Sequence, residues 1–252
     1  MPRTCGSKTI DVDKLRALVN GCSFSRGPIA WPYLLQTVDQ SNLTNLACAG
    51  AGNTYIHETT VSALANWPWY DIVLIMWSGI ERVDMKIAEP DQFDLSRYTS
   101  RYQSQQNDWP EKVIEPVNDQ DSVEKDWIFS CGHYNGESAM RKSRAFDAVY
   151  RYQDSLQFEY GFLQKVIALQ NTLKQMQVPY VFTFYQNYIE RLQKHTALCK
   201  MIDWHCCCID DNISDIAEKN NWFDTDGLHP GIQANRVWAE KLDNFIQGTI
   251  NA

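Results

Sequence analysis

The chain has 252 residues, of which 44% are hydrophobic and 21% charged, a composition typical of a globular protein with a sizeable core. Its 31 acidic and 23 basic residues give a net charge of -8, which argues against a general nucleic-acid binder and against docking on anionic membranes. The longest strongly apolar run covers only Ile72 to Trp77, far short of the roughly 20 residues that span a membrane. The first residues, Met-Pro-Arg-Thr-Cys, lack the apolar core of a signal peptide, so we expect a cytoplasmic protein.

Apolar segments predict four strands, at 17–20, 42–47, 71–77 and 179–185. The clearest is 71–77, because its continuous apolar character is typical of a parallel strand covered on both faces. Hydrophobic residues that recur at steps of mostly three or four predict helices over 143–177 and 231–247. Strands that alternate with helices predict an α/β layered fold with a mostly parallel sheet.

The segment 83–141 fits this alternation least well. It is polar, rich in Gln, Asp, Tyr and Trp, and contains Pro90, Pro110 and Pro116. Long irregular segments in compact domains are often lids or binding loops, although a surface insertion without a role is the alternative. We therefore predict one domain over 1–252, with an insertion or lid at about 83–141.

The first strand leads into a turn, Gly21 to Gly27, that contains Ser23. Ligands of parallel sheets bind at the carboxyl ends of the strands. A serine on a tight turn at such a place exposes its hydroxyl, and nearby backbone N–H groups can face a developing oxyanion. Serine and glycine are also ordinary turn residues, so this turn alone leaves a structural role open.

Near the other end of the chain, Asp226 lies three residues before His229, and Pro230 follows. The proline favours an extended backbone at His229, which places the histidine on a loop before the last helix. A nucleophilic serine needs a base, and the base needs an orienting group. His229 and Asp226 can supply these two functions, or they can be an ordinary surface pair at a helix start.

Two further turns follow predicted strands. The segment 45–53 contains glycines that let a backbone N–H approach a substrate closely. The segment 77–82 brings a tryptophan, a small turn and Arg82 to the same edge of the sheet.

Together these four segments resemble the sequence blocks of the SGNH/GDSL hydrolase family, and they occur in the same order. Gly21 to Phe24 is similar to the Gly-Asp-Ser block of the family, with Cys22 in place of Asp. The other blocks correspond to 45–50, to 71–80 and to the Asp226–His229 pair, whose spacing is intact. The matching residues are spread over nearly the whole chain.

The resemblance implies a flavodoxin-like three-layer α/β/α sandwich and ester hydrolysis without a metal or organic cofactor. It implies that Ser23 is the nucleophile, that His229 is the base and that Asp226 orients His229. It also implies that the backbone N–H groups of Ser23 and Gly50 bind the oxyanion.

The third block departs from the family pattern. The family has Gly-x-Asn-Asp here, and the Asn side chain completes the oxyanion hole. In this chain Ile80 stands at that position and cannot donate a hydrogen bond. Loss of one oxyanion donor costs about 10²–10³ in rate in other enzymes. Either the activity is low or another group substitutes.

Arg82 is the first candidate for the missing donor, because a guanidinium offers several N–H groups and a positive charge. Arg82 could equally pair with a neighbouring carboxylate. Ser78 and Asn53 are further candidates for substrate contact, and Arg26 is expected to shape the pocket.

The eight cysteines are expected to be free thiols, because the chain is neither small nor visibly secreted. The run 205–208, His-Cys-Cys-Cys, invites a metal site. Zinc ligands usually come in spaced pairs with a second pair elsewhere, so we expect no metal. Cys22 remains an alternative nucleophile, with His229 as its base.

Three functions are compatible with these residues. The first is a serine esterase for small acyl esters, including O-acetyl groups on carbohydrate, with aromatic residues of 98–127 stacked on sugar rings. The second is an acyltransferase on the same scaffold. The third is an inactive module that binds glycans or proteins. The sequence leaves the oligomeric state open.

Overall fold

A computed structural model describes residues 15–86, 127–129 and 155–250. In chain order its strands are β1 (Leu15–Asn20), β2 (Val38–Asn45), β3 (Ile72–Trp77), β4 (Asp84–Lys86), β5 (Trp127–Phe129), β6 (Tyr180–Phe184) and β7 (Cys207–Cys208). Five of them form a parallel sheet in the order β2-β1-β3-β6-β7. Numbered among themselves, these strands run 2-1-3-4-5, which is the flavodoxin-like order.

Helices cover both faces of this sheet. They are α1 (Asn53–Asn66), α2 (Ser155–Met176), α3 (Ile189–Leu192), α4 (Thr196–Cys199), α5 (Ile213–Asn220) and α6 (Ile232–Ile250). The helices α1 and α2 pack on one face, and α5 and α6 pack on the other. The predicted three-layer α/β/α sandwich with a parallel sheet is confirmed.

The central strand β3 shows how the sequence builds two cores. All of its residues are buried. Successive side chains of a strand point to opposite faces. Val73, Ile75 and Trp77 therefore pack with α1 and α2, whereas Ile72, Leu74 and Met76 pack with α5 and α6. A continuous apolar run is thus the signature of a strand buried on both sides.

The four predicted strands are present, with shifted ends. The strand β2 begins at Val38 and not at 42, because its first half lies at the sheet edge with three exposed polar residues and carries no apolar signal. The helix expected over 143–177 is described from Ser155 onward, and 143–154 lies outside the described residues. The last helix runs to Ile250.

The sequence analysis missed α1, whose sequence is rich in polar and β-branched residues. Tertiary hydrogen bonds hold it instead. At its N-terminus the Asp84 carboxylate accepts bonds from the backbone N–H groups of Gly52 (2.7 Å) and Tyr55 (2.9 Å). On its inner face the buried amide of Asn20 donates to Thr59 Oγ1 at 2.8 Å. The bonds to Asp84 satisfy helix-end donors that would otherwise lack partners.

The insertion at 83–141 is described only at 83–86 and 127–129. Here β4 and β5 pair antiparallel, with Asp84 opposite Phe129. Trp127 is buried edge-on against Tyr55, with ring centroids 5.5 Å apart, so it packs in the core and offers no face for a sugar. The rest of the predicted lid lies outside the described residues.

The run 205–208 enters the fold as a short turn followed by β7. Cys206 and Cys207 pack with the α1/α2 core, and Cys208 packs with the α5/α6 core. Within the described parts of the chain, no group of three or more His, Cys, Asp or Glu side chains is arranged to hold a metal ion. None of the helices in 15–86 or 155–250 is long and apolar enough to cross a membrane.

The carboxylate of Asp243 ties α6 to the chain that enters β2. It accepts hydrogen bonds from the backbone N–H groups of Gln36 (2.9 Å) and Thr37 (3.1 Å) and from the Thr37 hydroxyl (2.6 Å). We predict that Asp243→Ala lowers the free energy of unfolding by about 1–3 kcal/mol, because it leaves buried donors without partners. Urea unfolding followed by tryptophan fluorescence measures this change. The control is Glu240→Ala on the exposed side of α6, and equal effects of the two variants would contradict the prediction.

Candidate active site

The proposed nucleophile Ser23 opens a single 3-10 turn, Ser23–Ser25, directly after β1. The turn closes when the N–H of Ser25 donates to the carbonyl of Cys22 at 2.9 Å. The chain reaches this turn through Gly21. A Cβ atom at Gly21 would lie 2.5 Å from Ser25 Oγ and 3.2 Å from the carbonyl oxygen of Met76. Glycine is therefore required here for steric reasons, and it lets the serine turn sit against the end of β3.

Three hydrogen bonds fix the turn in place. The indole Nε1 of Trp31 donates to Ser25 Oγ at 3.1 Å, and the side-chain amide of Asn45 donates to the Ser25 carbonyl at 2.8 Å. The N–H of Cys48 donates to the carbonyl of Gly21 at 3.2 Å. The bonds from Asn45 and Cys48 attach the end of β2 and the turn after it to the serine turn after β1.

His229 and Asp226 lie on the loop between α5 and α6. The imidazole Nε2 lies 2.9 Å from Ser23 Oγ, and Nδ1 lies 2.5 Å from Asp226 Oδ2. The other carboxylate oxygen, Oδ1, accepts bonds from the backbone N–H groups of Leu228 (2.8 Å) and His229 (2.9 Å). The structure thus brings together the three residues that the sequence analysis selected, across 206 positions of the chain.

The charge on Asp226 decides the direction of these hydrogen bonds. Burial alone would raise its pKa, but the N–H groups of His229 and Leu228 and the bond to the imidazole hold the pKa below its ordinary value. An ionised carboxylate can only accept, so Nδ1 of His229 carries the proton. In the neutral imidazole Nε2 is then the acceptor that faces the Ser23 hydroxyl, which is the arrangement of a general base.

Gly50 lies on the turn after β2, and its φ of +83° is in the left-handed region that favours glycine. The N–H of Ala51 closes this turn by donating to the Cys48 carbonyl at 3.1 Å. Because Cys48 is also bonded to Gly21, the turn that carries Gly50 is anchored beside the turn that carries Ser23.

Asn53 and Ser78 form a clamp between the start of α1 and the loop after β3. The Asn53 side chain accepts from the N–H of Ser78 at 2.9 Å and donates to the carbonyl of Gly79 at 3.0 Å. Both residues are buried, and within the described residues the Ser78 hydroxyl has no hydrogen-bond partner. They hold the loop after β3 in place, and their contact with a substrate stays a prediction.

The guanidinium of Arg82 lies between the second turn and an aromatic ring. Its Nη1 donates to the carbonyl of Ala51 at 3.1 Å, and its Cζ lies 5.8 Å from the centroid of the Tyr185 ring. Ile80 is buried in the core of the α1/α2 face. Arg26, expected at the pocket, is partly buried, and its Nη1 lies 3.9 Å from the Cys48 sulfur.

The sequence analysis missed two aromatic residues at this site. The ring of Phe24 lies 5.3 Å from the His229 ring and 4.9 Å from the Tyr185 ring, measured between centroids. Tyr185 directly follows β6, the fourth strand of the sheet along the chain. The rule that ligands bind at the carboxyl ends of parallel strands points to this residue as well, since it is the last residue of the predicted strand at 179–185.

Cys22, the alternative nucleophile, is completely buried beneath the serine turn. The imidazole nitrogen that could serve as its base is bonded to Ser23 instead. The geometry therefore favours the serine over the cysteine.

The sequence matches no known family model and no curated protein. Among solved structures, the chain is similar to the psychrotrophic esterase EstA from Pseudoalteromonas sp., solved with monoethylphosphonate as inhibitor. Identity is 13% and the TM-score is 0.48, over 94% of this chain and 100% of that one. It is also similar to a protein described as a lipolytic protein of the G-D-S-L family from Desulfitobacterium hafniense DCB-2. Here identity is 10% and the TM-score 0.40, over 91% of this chain and 99% of that one. Likeness at identities this low and TM-scores below 0.5 does not determine the chemistry of this chain, which must follow from the chain's own residues.

We predict that Asp226→Asn lowers kcat for ester hydrolysis by about 10²–10⁴, because an amide can hold the wrong imidazole tautomer. Because the pKa of Asp226 lies below its ordinary value, this carboxylate stays ionised at pH 5 and above. Its protonation should therefore not lower the kcat of the wild-type protein in that range. The matched control is Asp224→Asn in the same loop, where the carboxylate accepts from the N–H of Thr225. Equal activities of the two variants would contradict the prediction.

Proposed function

We propose that the protein is a serine ester hydrolase that acts through an acyl-enzyme on Ser23. The observation that carries this proposal is the continuous chain of hydrogen bonds from Asp226 through His229 to Ser23 Oγ. Surface pairs of Asp and His are common, but a serine hydroxyl at the outer nitrogen of an oriented histidine has the geometry of an activated nucleophile.

The reaction follows from these positions. Ser23 Oγ attacks the ester carbonyl carbon while His229 Nε2 takes the hydroxyl proton. The tetrahedral intermediate then collapses, the carbon–oxygen bond to the alcohol breaks, and Nε2 returns the proton to the departing oxygen. A water molecule, deprotonated by the same nitrogen, attacks the acyl-enzyme. The bond between the acyl carbon and Ser23 Oγ breaks, Nε2 returns the proton to Oγ, and the acid leaves. Asp226 stabilises the imidazolium in both halves.

The oxyanion is bound by the backbone N–H groups of Ser23 and Gly50 and by the side chain of Arg82. The support for Arg82 is its location. It is anchored on the carbonyl next to Gly50, and Tyr185 and Phe24 connect it through ring contacts to His229. A guanidinium has five N–H donors and a fixed positive charge, so it can replace the Asn that is absent at Ile80.

The substrate is a small acyl ester, and we infer that its alcohol half is a ring such as an O-acetylated sugar. The proton from His229 Nε2 goes to the leaving alcohol, so that half of the ester lies beside the imidazole. Phe24, which is partly exposed, packs against the same imidazole. An aromatic side chain beside the leaving group favours an alcohol whose ring can pack against the Phe24 ring over an open alkyl chain.

We predict that a fluorophosphonate probe adds one adduct to the wild-type protein and none to Ser23→Ala. Hydrolysis of 4-nitrophenyl acetate should fall by about 10³ or more in Ser23→Ala and in His229→Ala, because each removes a member of one catalytic unit. Intact-mass spectrometry and an absorbance assay measure the two outcomes.

The control for this experiment is Cys22→Ala, which removes the neighbouring alternative nucleophile. It should keep the adduct, although the loss of a buried side chain will lower stability. An adduct that disappears in Cys22→Ala and persists in Ser23→Ala would assign the chemistry to the thiol. Equal turnover in wild type, Ser23→Ala and His229→Ala would overturn the hydrolase.

We predict that Phe24→Leu raises KM for an acetylated methyl glycoside about fivefold, since an aromatic contact is worth roughly 1 kcal/mol. The kcat/KM for ethyl acetate should change less than twofold, because an alkyl leaving group gains little from the ring. Steady-state release of acetate measures both. An equal loss on both esters would show that Phe24 supports His229 and does not select the alcohol.

A further inference from the structure

A completely buried carboxylate, Glu159 on α2, lies outside the proposed chemistry. It accepts from Arg191 Nε at 2.5 Å, lies 2.7 Å from His195 Nε2 and pairs with Lys194 Nζ at 3.2 Å. Burial alone would raise its pKa, but the bonds from Arg191, His195 and Lys194 outweigh burial and lower the pKa. A buried charge needs such compensation, and the compensation fixes the position of its partners.

Arg191 connects this buried carboxylate to the candidate active site. Its Nε is bonded to Glu159, and its Nη1 pairs with Glu81 on the loop after β3. The Arg191 and Glu81 side chains are only 33% and 26% exposed. The planar guanidinium holds the two carboxylates at a set separation, which a flexible ammonium group would not do. The loop after β3 is thus attached to α2.

That loop carries Arg82, the residue after Glu81. On its inner side the loop is held by Asn53, which bonds to Ser78 and Gly79. The outer attachment is the Glu81–Arg191 pair. Two attachments on either side of a short segment determine where the Arg82 backbone lies, and thereby where its guanidinium can reach.

We propose that Glu81 and Arg191 are positioning residues that hold Arg82 at the oxyanion. This inference rests on the proposed function. Neither residue touches the reacting atoms. Their effect is to keep the Arg82 guanidinium on the carbonyl of Ala51, the residue after Gly50, before a substrate binds. Donors positioned in advance stabilise a developing charge without reorganisation during the reaction.

The first test is Glu81→Gln, which weakens the attachment of the loop and leaves Arg191 bonded to the buried Glu159. We expect kcat for 4-nitrophenyl acetate to fall about tenfold, with KM within twofold of wild type, because small misplacement of a catalytic group acts on the transition state. The midpoint of thermal unfolding should stay close to that of wild type.

A double-mutant cycle separates positioning from a general structural effect. Arg82→Met alone should lower kcat by about 10²–10³. In the Arg82→Met background, Glu81→Gln should change kcat by less than twofold, since the group it positions is gone. A tenfold loss in that background, equal to the loss in wild type, would overturn the proposal.

Lys194→Gln is the matched control. It removes another cation from Glu159, but Lys194 has no bond to the loop after β3 among the described contacts. We expect its kcat to equal that of wild type. A loss of kcat like that of Glu81→Gln would show that the charge of the cluster matters and that the attachment of the loop does not.

Labelling of Ser23 tells the two proposals apart. Full labelling and turnover in wild type, with unchanged kcat in Glu81→Gln, would overturn the positioning role and leave the hydrolase intact. A wild-type protein with neither label nor turnover would overturn both.

Discussion

The burial of β1, β3 and β6 on both faces is the constraint on which the rest of this molecule depends. Strands covered by two helical layers can place polar groups only at their ends. Because all strands of the sheet are parallel, the carboxyl ends of β1, β2, β3 and β6 meet at one edge. Ser23, Gly50, Arg82 and Tyr185 each follow one of these ends. The fold therefore brings residues that are distant in the chain to one edge of the sheet.

Hydrogen bonds among the loops then set the arrangement at that edge. The serine turn is fixed by Trp31, Asn45 and the Cys48 N–H, and it requires glycine at position 21. His229 lies on the loop between α5 and α6. Its imidazole is oriented by the Asp226 carboxylate, which accepts bonds from two backbone N–H groups that favour its ionised form. Each proposed catalytic group is therefore held by neighbours that take no part in bond making.

The loop after β3 departs from the sequence pattern that its block resembles. Ile80 stands where that pattern has Asn, and its side chain is buried in the α1/α2 core. Arg82, two residues later, lies beside the turn of Gly50 and is approached by Tyr185. The ion pairs of Arg191 join this loop to the buried charge on α2.

The sequence by itself determined the layered architecture, the central strands and the candidate residues Ser23, Asp226 and His229, because local apolar patterns and short motifs record them. It did not determine α1, whose helix depends on contacts from Asp84 and Asn20. It predicted substrate contacts for Asn53 and Ser78 but did not reveal the buried clamp that they form, because that clamp exists only where two loops meet. Only the tertiary structure placed Phe24 between the rings of His229 and Tyr185, and Arg191 between two carboxylates. Such contacts join residues far apart in the chain, so no local pattern of the sequence indicates them.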